Sequence, residues 1–171
     1  MTYVGEIHIA GEIGADVTFA QVKAAIKTNS DAERINVFID SPGGNAFEGI
    51  NIWAALADAS IPVTTIVTGE AFSAASLIAI AGDYVIMRPG TRMMIHDAHV
   101  LPDGNTVLEA SDLLQMARKL EEISSYLAEA YALRSKKALA FSPEYWRGKM
   151  KATTYYSAQE AVRAGLADEV A

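Results

Sequence analysis

Two short runs rich in β-branched residues constrain the fold more than any other feature of the chain. INVFID (35–40) and VTTIV (63–67) have the composition of buried parallel strands. Each run is followed by a glycine-containing break and then by a helical pattern, one capped by Asn45 and one extending from about Ser73 to Ala81. Strands that alternate with helices predict an α/β domain with a mostly parallel central sheet flanked by helices.

The remainder of the chain continues this alternation. Alternating or apolar runs predict four further strands, at 3–9, 83–87, 91–96 and 153–156. Capping signals and helical periodicity predict four further helices: one that begins at the capping box Thr18/Gln21, a long amphipathic helix over 106–134, a short helix that starts at Ser142-Pro143, and a last helix capped by Ser157 and Glu160 and ended by Gly165.

Composition limits the class of protein. The 171 residues suit a single domain over 1–171, and the absence of cysteine excludes disulfides, thiolate chemistry and cysteine-type zinc sites. A formal net charge of -7 would repel a phosphate backbone, so we expect no nucleic-acid partner. The longest apolar run, 71–81, is too short to span a membrane, and the N-terminus lacks the pattern of a secretory signal. We therefore expect a cytoplasmic protein.

Two loops are expected to meet at one crevice. In parallel sheets, ligands bind beyond the carboxyl ends of the strands. The Ser41-Pro42-Gly43-Gly44 turn follows the first buried strand, and Ser73 follows the second. The glycines suit either a tight turn or a backbone N–H donor that approaches a ligand closely. No phosphate-binding motif is present, so we expect no nucleotide or other cofactor.

The start of the predicted helix after 63–67 leaves two interpretations of Ser73 open. A serine at this position is commonly an N-cap. It is also a candidate nucleophile, because the free N–H groups of a helix start can stabilise an oxyanion. The G-x-S-x-G elbow is absent, since Ala71 and Ala75 flank Ser73. Ser76, one turn further on, suits a small packing position.

The chain has only three histidines, and they differ in context. His8 lies in the first predicted strand, where a structural or surface role is expected. His96 ends the strand TRMMIH and suits general-base work in a crevice, whereas His99 follows in a loop and should be solvated. His96 and His99 could share a metal ion, but no third ligand stands at recognisable spacing, so we expect no metal site.

Five segments resemble the ClpP-like serine peptidases in order and spacing: INVFIDSPGGNAFEG, GEAFSAASLIAIAG, RMMIHDA, ASDLLQMARKL and YYSAQEAVRAGLADEV. The resemblance extends from about Glu6 to Val170, and the compact form is most similar to prophage-encoded members used in head maturation. It implies the ClpP/crotonase-like superhelical fold with a long handle helix. It also implies a serine endopeptidase with Ser73 as nucleophile, His96 as base, and the N–H groups of Gly44 and Ala74 as the oxyanion hole.

The third member of the triad departs from the family pattern. The family places an acid shortly before the last predicted strand, but RGKMKATTYYS contains no Asp or Glu, and Lys149 and Thr153 stand at the expected positions. Another carboxylate could substitute, with Asp97 and Asp112 as candidates. Alternatively, the Thr153 hydroxyl or a backbone carbonyl holds the imidazole tautomer, or the protein is a degenerate peptidase. We favour an attenuated dyad, because loss of the acid can cost about 10⁴-fold in kcat.

The resemblance further implies a polypeptide substrate and a homo-oligomeric ring stacked through the handle helix. The segment that forms axial loops in bacterial ClpP is missing, which argues against coupling to an ATPase. A non-catalytic scaffold or assembly protein is the main alternative, supported by the missing acid. A crotonase-type acyl-CoA enzyme would not need Ser73 or His96, and a signal-peptide-peptidase-like enzyme would use a lysine base instead of His96.

Overall fold

The computed structural model describes residues 3–100, 107–135 and 142–171. The strands within these residues are β1 (Val4–Ala10), β2 (Arg34–Ser41), β3 (Val63–Phe72), β4 (Tyr84–Met87), β5 (Arg92–Ile95), β6 (Thr154–Ser157) and β7 (Glu169–Val170). The helices are α1 (Phe19–Thr28), α2 (Ala46–Ala57), α3 (Ala74–Ala79), α4 (Ala110–Ser135), α5 (Pro143–Lys151) and α6 (Ala158–Arg163).

The strands form one mostly parallel sheet, as predicted. Its parallel order is β1-β2-β3-β4-β7. The last residues of β3 leave β4 and pair in parallel with β5, which in turn pairs antiparallel with β6. Strand β3 therefore continues to Phe72 instead of ending at Val67, because β5 supplies hydrogen-bonding partners for 70–72. The two-residue strand β7 was not predicted.

The predicted capping signals are confirmed. Complete capping boxes open α1 at Thr18 and α6 at Ser157, and the side chains of Asn45 and Ser142 cap α2 and α5. Gly165 follows α6 with a φ of 75°, a left-handed conformation that glycine adopts without strain. These local signals determine the residue at which each of these four helices begins.

The long helix α4 has two different halves. The predicted start at residue 106 lies outside the described residues, and α4 begins at Ala110. Its C-terminal half packs on the core through buried residues that include Leu127, Ala128 and Tyr131. Leu113 and Leu114 in its N-terminal half are 53% and 62% exposed. The amphipathic stripe thus covers the core only in the C-terminal half.

The core lies on the two faces of the sheet and under α3. Alternate residues of β1 and β2 are almost completely buried, among them Ile9, Ile35 and Ile39, and every residue of α3 is buried. Helix α3 ends at Ala79, two residues before the predicted Ala81. None of the described helices combines the length and the apolar character that a membrane crossing requires.

Candidate active site

The backbone of Ser73 makes a strained turn between β3 and α3. Its φ of 54° and ψ of -124° lie outside the regions that a residue with a Cβ usually adopts, at a cost of about 1–3 kcal/mol. The Ser73 N–H donates to the Met94 carbonyl at 2.9 Å, which ties the turn to β5. The Ser73 side chain makes no capping hydrogen bond to α3. Ser73 therefore occupies the N-cap position of α3, as one interpretation predicted, but its side chain does not cap the helix.

The hydroxyl of Ser73 contacts His96 instead. His96 follows β5 directly, and because β5 pairs with the end of β3, its ring lies beside the turn. The distance from Ser73 Oγ to His96 Nε2 is 2.6 Å. With the proton on Nδ1, Nε2 can accept the proton of the hydroxyl, which is the arrangement that a serine nucleophile requires.

Two glycines bring a second loop against Ser73. Gly43 and Gly44 have φ values of 97° and 142°. A Cβ on Gly43 would lie 2.7 Å from the Ser73 Cβ, and a Cβ on Gly44 would lie 2.3 Å from the Ile13 carbonyl oxygen. Only glycine fits either position, which explains the pair. The S-P-G-G turn and Ser73 meet at one crevice, as the strand order implied.

Two backbone N–H groups beside Ser73 are candidates for an oxyanion hole. The Gly44 N–H donates no hydrogen bond within the described part of the chain. Ala74 is the first residue of α3, so its N–H has no acceptor within the helix. One N–H belongs to the S-P-G-G turn and the other to the first residue of α3, and free backbone N–H groups are the donors from which oxyanion holes are built.

An apolar cavity of about 350 Å³ opens beside Ser73 and His96. Its wall combines Phe47 at the start of α2 with Met116, Leu120 and Ile123 from the first and middle turns of α4. Lys119 contributes the only lysine or arginine among the described residues of the wall, and no described acid lines it. The cavity has the size and polarity to hold an apolar side chain next to the Ser73 hydroxyl.

The sequence matches the Clp protease family over residues 4–171. The chain belongs to this family. It is 30% identical over 169 residues to the ATP-dependent Clp protease proteolytic subunit of Pleurastrum terricola, an alignment that covers 96% of this chain and 82% of the relative. It is 31% identical over 160 residues to the ATP-dependent Clp protease proteolytic subunit 2 of Streptomyces avermitilis, covering 91% and 75%.

The fold is that of the Clp protease family as well. A mutant ClpP1 from Listeria monocytogenes superposes with a TM-score of 0.80 and covers 97% of this chain and 90% of its own, at 22% sequence identity. The predicted fold class, with its mostly parallel sheet and long helix, is confirmed. The 26-residue helix α4 is the long helix of this fold.

The surroundings of His96 favour its neutral form. Partial burial lowers its pKa, the nearby His99 lowers it further, and Asp97 opposes the shift weakly. The ring centroids of His96 and His99 are 4.8 Å apart. His99 is exposed, as predicted, but it also contacts His96. His8 lies far along the sheet, exposed and stacked on Phe38.

The pH dependence of Ser73 labelling by a fluorophosphonate should reflect this tuning. A base works in its neutral form, so a lowered pKa retains activity to lower pH, and we expect half-maximal rate below pH 6.5. Replacing His99 by alanine removes a neighbouring positive charge and should move this midpoint upward, with little change at alkaline pH. His8→Ala is the matched control and should not move it. A midpoint that stays in place or falls in His99→Ala would contradict this assignment.

The acid candidate Asp97 is engaged elsewhere. Its carboxylate forms an ion pair with Arg147 of α5, and Arg147 also binds Glu121 of α4. The Arg147 side chain is only 13% exposed, so it depends on these partners. Burial alone would lower the pKa of Arg147, but the hydrogen bonds to Glu121 and Asp97 outweigh it and raise the pKa. Sequence reasoning missed Arg147, since no local pattern marks a contact between elements so far apart in the chain.

The other candidates for the third member occupy two different places. The Asp112 carboxylate accepts the Glu109 N–H at 2.9 Å and caps the start of α4. Thr154 pairs with Ile95 in the last antiparallel pair of β5 and β6, so Thr153 and His96 each lie one residue beyond the end of this pairing. Among the described residues, no carboxylate is hydrogen-bonded to His96. Lys149, the other residue at a position expected for the acid, has its ammonium group 5.4 Å from the ring centre of Tyr145.

Replacing Asp97 by asparagine should separate a structural role from a catalytic one. We expect the free energy of unfolding to fall by about 1–3 kcal/mol, because Arg147 loses a charged partner in a mostly buried setting. The rate of Ser73 labelling should stay within about threefold, the effect of a small change in free energy. Asp112→Asn is the control, because it removes the charge of another candidate acid that forms no ion pair with Arg147 among the described residues. A loss of about 100-fold in labelling with unchanged stability would identify Asp97 as the acid.

Proposed function

We propose that this chain is a serine endopeptidase of the Clp type, consisting of one peptidase domain. Ser73 is the nucleophile, His96 the general base, and the N–H groups of Gly44 and Ala74 form the oxyanion hole. The observation that carries the proposal is the 2.6 Å contact between Ser73 Oγ and His96 Nε2 on a strained turn. The relatives named as proteolytic subunits support it.

The reaction follows from this geometry. A peptide lies in the crevice with an apolar side chain in the cavity. Ser73 Oγ attacks the peptide carbonyl while His96 Nε2 takes its proton, and the new oxyanion is bound by the two backbone N–H groups. His96 then returns the proton to the leaving amine as the C–N bond breaks. Water, deprotonated by His96, attacks the acyl-enzyme and releases the second product with Ser73 restored.

The proposal extends to assembly and setting. Leu113 and Leu114 are exposed on the N-terminal half of α4, which suits burial against further copies of the chain in a homo-oligomer. The sequence resemblance to prophage-encoded members supports a cytoplasmic role in processing phage proteins. Light scattering tests the assembly, and the mass of a single chain at working concentration would contradict it.

Fluorophosphonate labelling followed by peptide mass mapping tests the activity. The reagent phosphonylates only an activated serine, so we expect an adduct on Ser73 in the native protein and none after denaturation. An adduct on another serine would remove Ser73 from the proposed role. Absence of any adduct in folded, oligomeric protein would favour the degenerate scaffold. That alternative is supported by the lack of a carboxylate hydrogen-bonded to His96 among the described residues.

A further inference from the structure

Two buried hydroxyl groups link α4 to the turn at Ser73. Ser76 is completely buried in α3, and its Oγ lies 2.6 Å from the Ser73 carbonyl oxygen. The same Oγ lies 2.7 Å from the hydroxyl of Tyr131, which is 1% exposed in the C-terminal half of α4. A residue that served only for close packing, as the sequence suggested for Ser76, would not need this second partner from another helix.

The directions of the two hydrogen bonds follow from the available protons. The Ser73 carbonyl can only accept, so the single proton of Ser76 Oγ points to it. Tyr131 must then donate to Ser76 Oγ. Burial raises the pKa of Tyr131, and the contact with Ser76 opposes this only in part, so the phenol stays protonated and remains a donor. The relay runs in one direction, from Tyr131 through Ser76 to the Ser73 carbonyl.

The acceptor of this relay belongs to the same peptide group as the candidate oxyanion donor. A trans peptide is planar, and its C=O and N–H point in opposite directions. The carbonyl of Ser73 and the N–H of Ala74 are the two ends of one such plane. The Ser76 N–H also donates to that carbonyl, at 2.9 Å, so two donors of one residue hold it. When the Ser73 carbonyl is held towards Ser76, the Ala74 N–H at the other end of the peptide plane points towards the crevice. The hydrogen bonds thus stabilise the strained backbone conformation of Ser73.

We propose that Tyr131 and Ser76 are positioning residues that fix the Ser73–Ala74 peptide plane, and through it the oxyanion donor of Ala74. The inference rests on the proposed function, since it assigns a use to the oxyanion hole. Neither side chain touches the reacting atoms. Their effect should therefore appear in the chemical step of the reaction and not in binding.

The test measures saturation kinetics of fluorophosphonate labelling in Tyr131→Phe, Ser76→Ala and the double variant. We expect the maximal labelling rate to fall by about threefold to tenfold in each single variant, with the half-saturating concentration unchanged. The maximal labelling rate of the double variant should fall no further than that of the more impaired single variant, because both residues act as one unit. Tyr156→Phe is the matched control: Tyr156 is also buried, but its hydroxyl has no hydrogen-bond partner in the described structure.

Two results would overturn the proposal. One is an unchanged maximal rate in folded Ser76→Ala and Tyr131→Phe, even with a lower melting temperature, since that would leave only a structural role. The other is additive losses in the double variant. Hydrogen exchange of the Ser76 amide gives a readout that needs no activity: it should quicken in Tyr131→Phe and not in Tyr156→Phe. If the wild-type chain takes no label, the proposed function fails, and equal exchange in the two variants would overturn the positioning as well.

Discussion

Replacement of Ser73 by alanine is expected to abolish labelling and to lower the rate of peptide hydrolysis by about 10²-fold, because roughly 10⁴ of the 10⁶-fold contribution of a complete triad is already absent without the acid. The folded state should be kept. Among the described residues, the Ser73 side chain hydrogen-bonds only to His96, and alanine at the same positive φ carries the same backbone strain as serine. The free energy of unfolding should change by less than about 1 kcal/mol. Labelling kinetics and chemical denaturation measure the two effects separately.

His96→Ala completes this test. This variant should lose nearly as much hydrolytic activity as Ser73→Ala. The double variant should lose no more activity than either single variant, because nucleophile and base act as a unit. Ser76→Ala is the informative comparison, since it removes a hydroxyl one helical turn away and should cost only about tenfold or less. Activity that persists in pure Ser73→Ala protein would exclude the proposed nucleophile. Greater loss in Ser76→Ala than in Ser73→Ala would show that the roles are exchanged.

Sequence was most informative where the signal is local. The strands around INVFID and VTTIV follow from β-branched composition, and the starts of α1 and α6 from capping boxes that need only four residues. The meeting of Gly44 with Ser73 followed from a general property of parallel sheets. These predictions required no knowledge of which distant residues touch.

Features that depend on contacts between distant elements could not be predicted. Nothing in the sequence near Asp97 shows that Arg147 binds it, so it stood as a candidate acid. Ser76 looked like a packing residue, because its partner Tyr131 lies 55 residues further along the chain. The same holds for β7, whose two residues carry no periodicity and form a strand only because the edge of β4 is available.

Thr153 combines a position and a conformation that together suggest a gain of activity. Thr153 and His96 each lie one residue beyond the last pair of β5 and β6, Ile95 with Thr154, and the Thr153 side chain is exposed. Its φ of 49° lies in the left-handed region, where a β-branched residue is strained and aspartate is better tolerated. An aspartate here would suit the backbone better than threonine does. It would also offer a carboxylate to the Nδ1–H of His96, the role of the acid in a serine triad.

Thr153→Asp is therefore expected to raise the rate of labelling and hydrolysis by about tenfold or more, part of the roughly 10⁴-fold that loss of such an acid can cost. A neighbouring negative charge favours the imidazolium, so the pKa of His96 should rise and the acid limb of the pH profile should move to higher pH. Thr153→Asn is the matched control, because it shares the left-handed preference but carries no charge. An equal rise in the asparagine variant would assign the gain to relief of strain. No rise in a stable Thr153→Asp protein would mean that the imidazole of His96 is already oriented by another group.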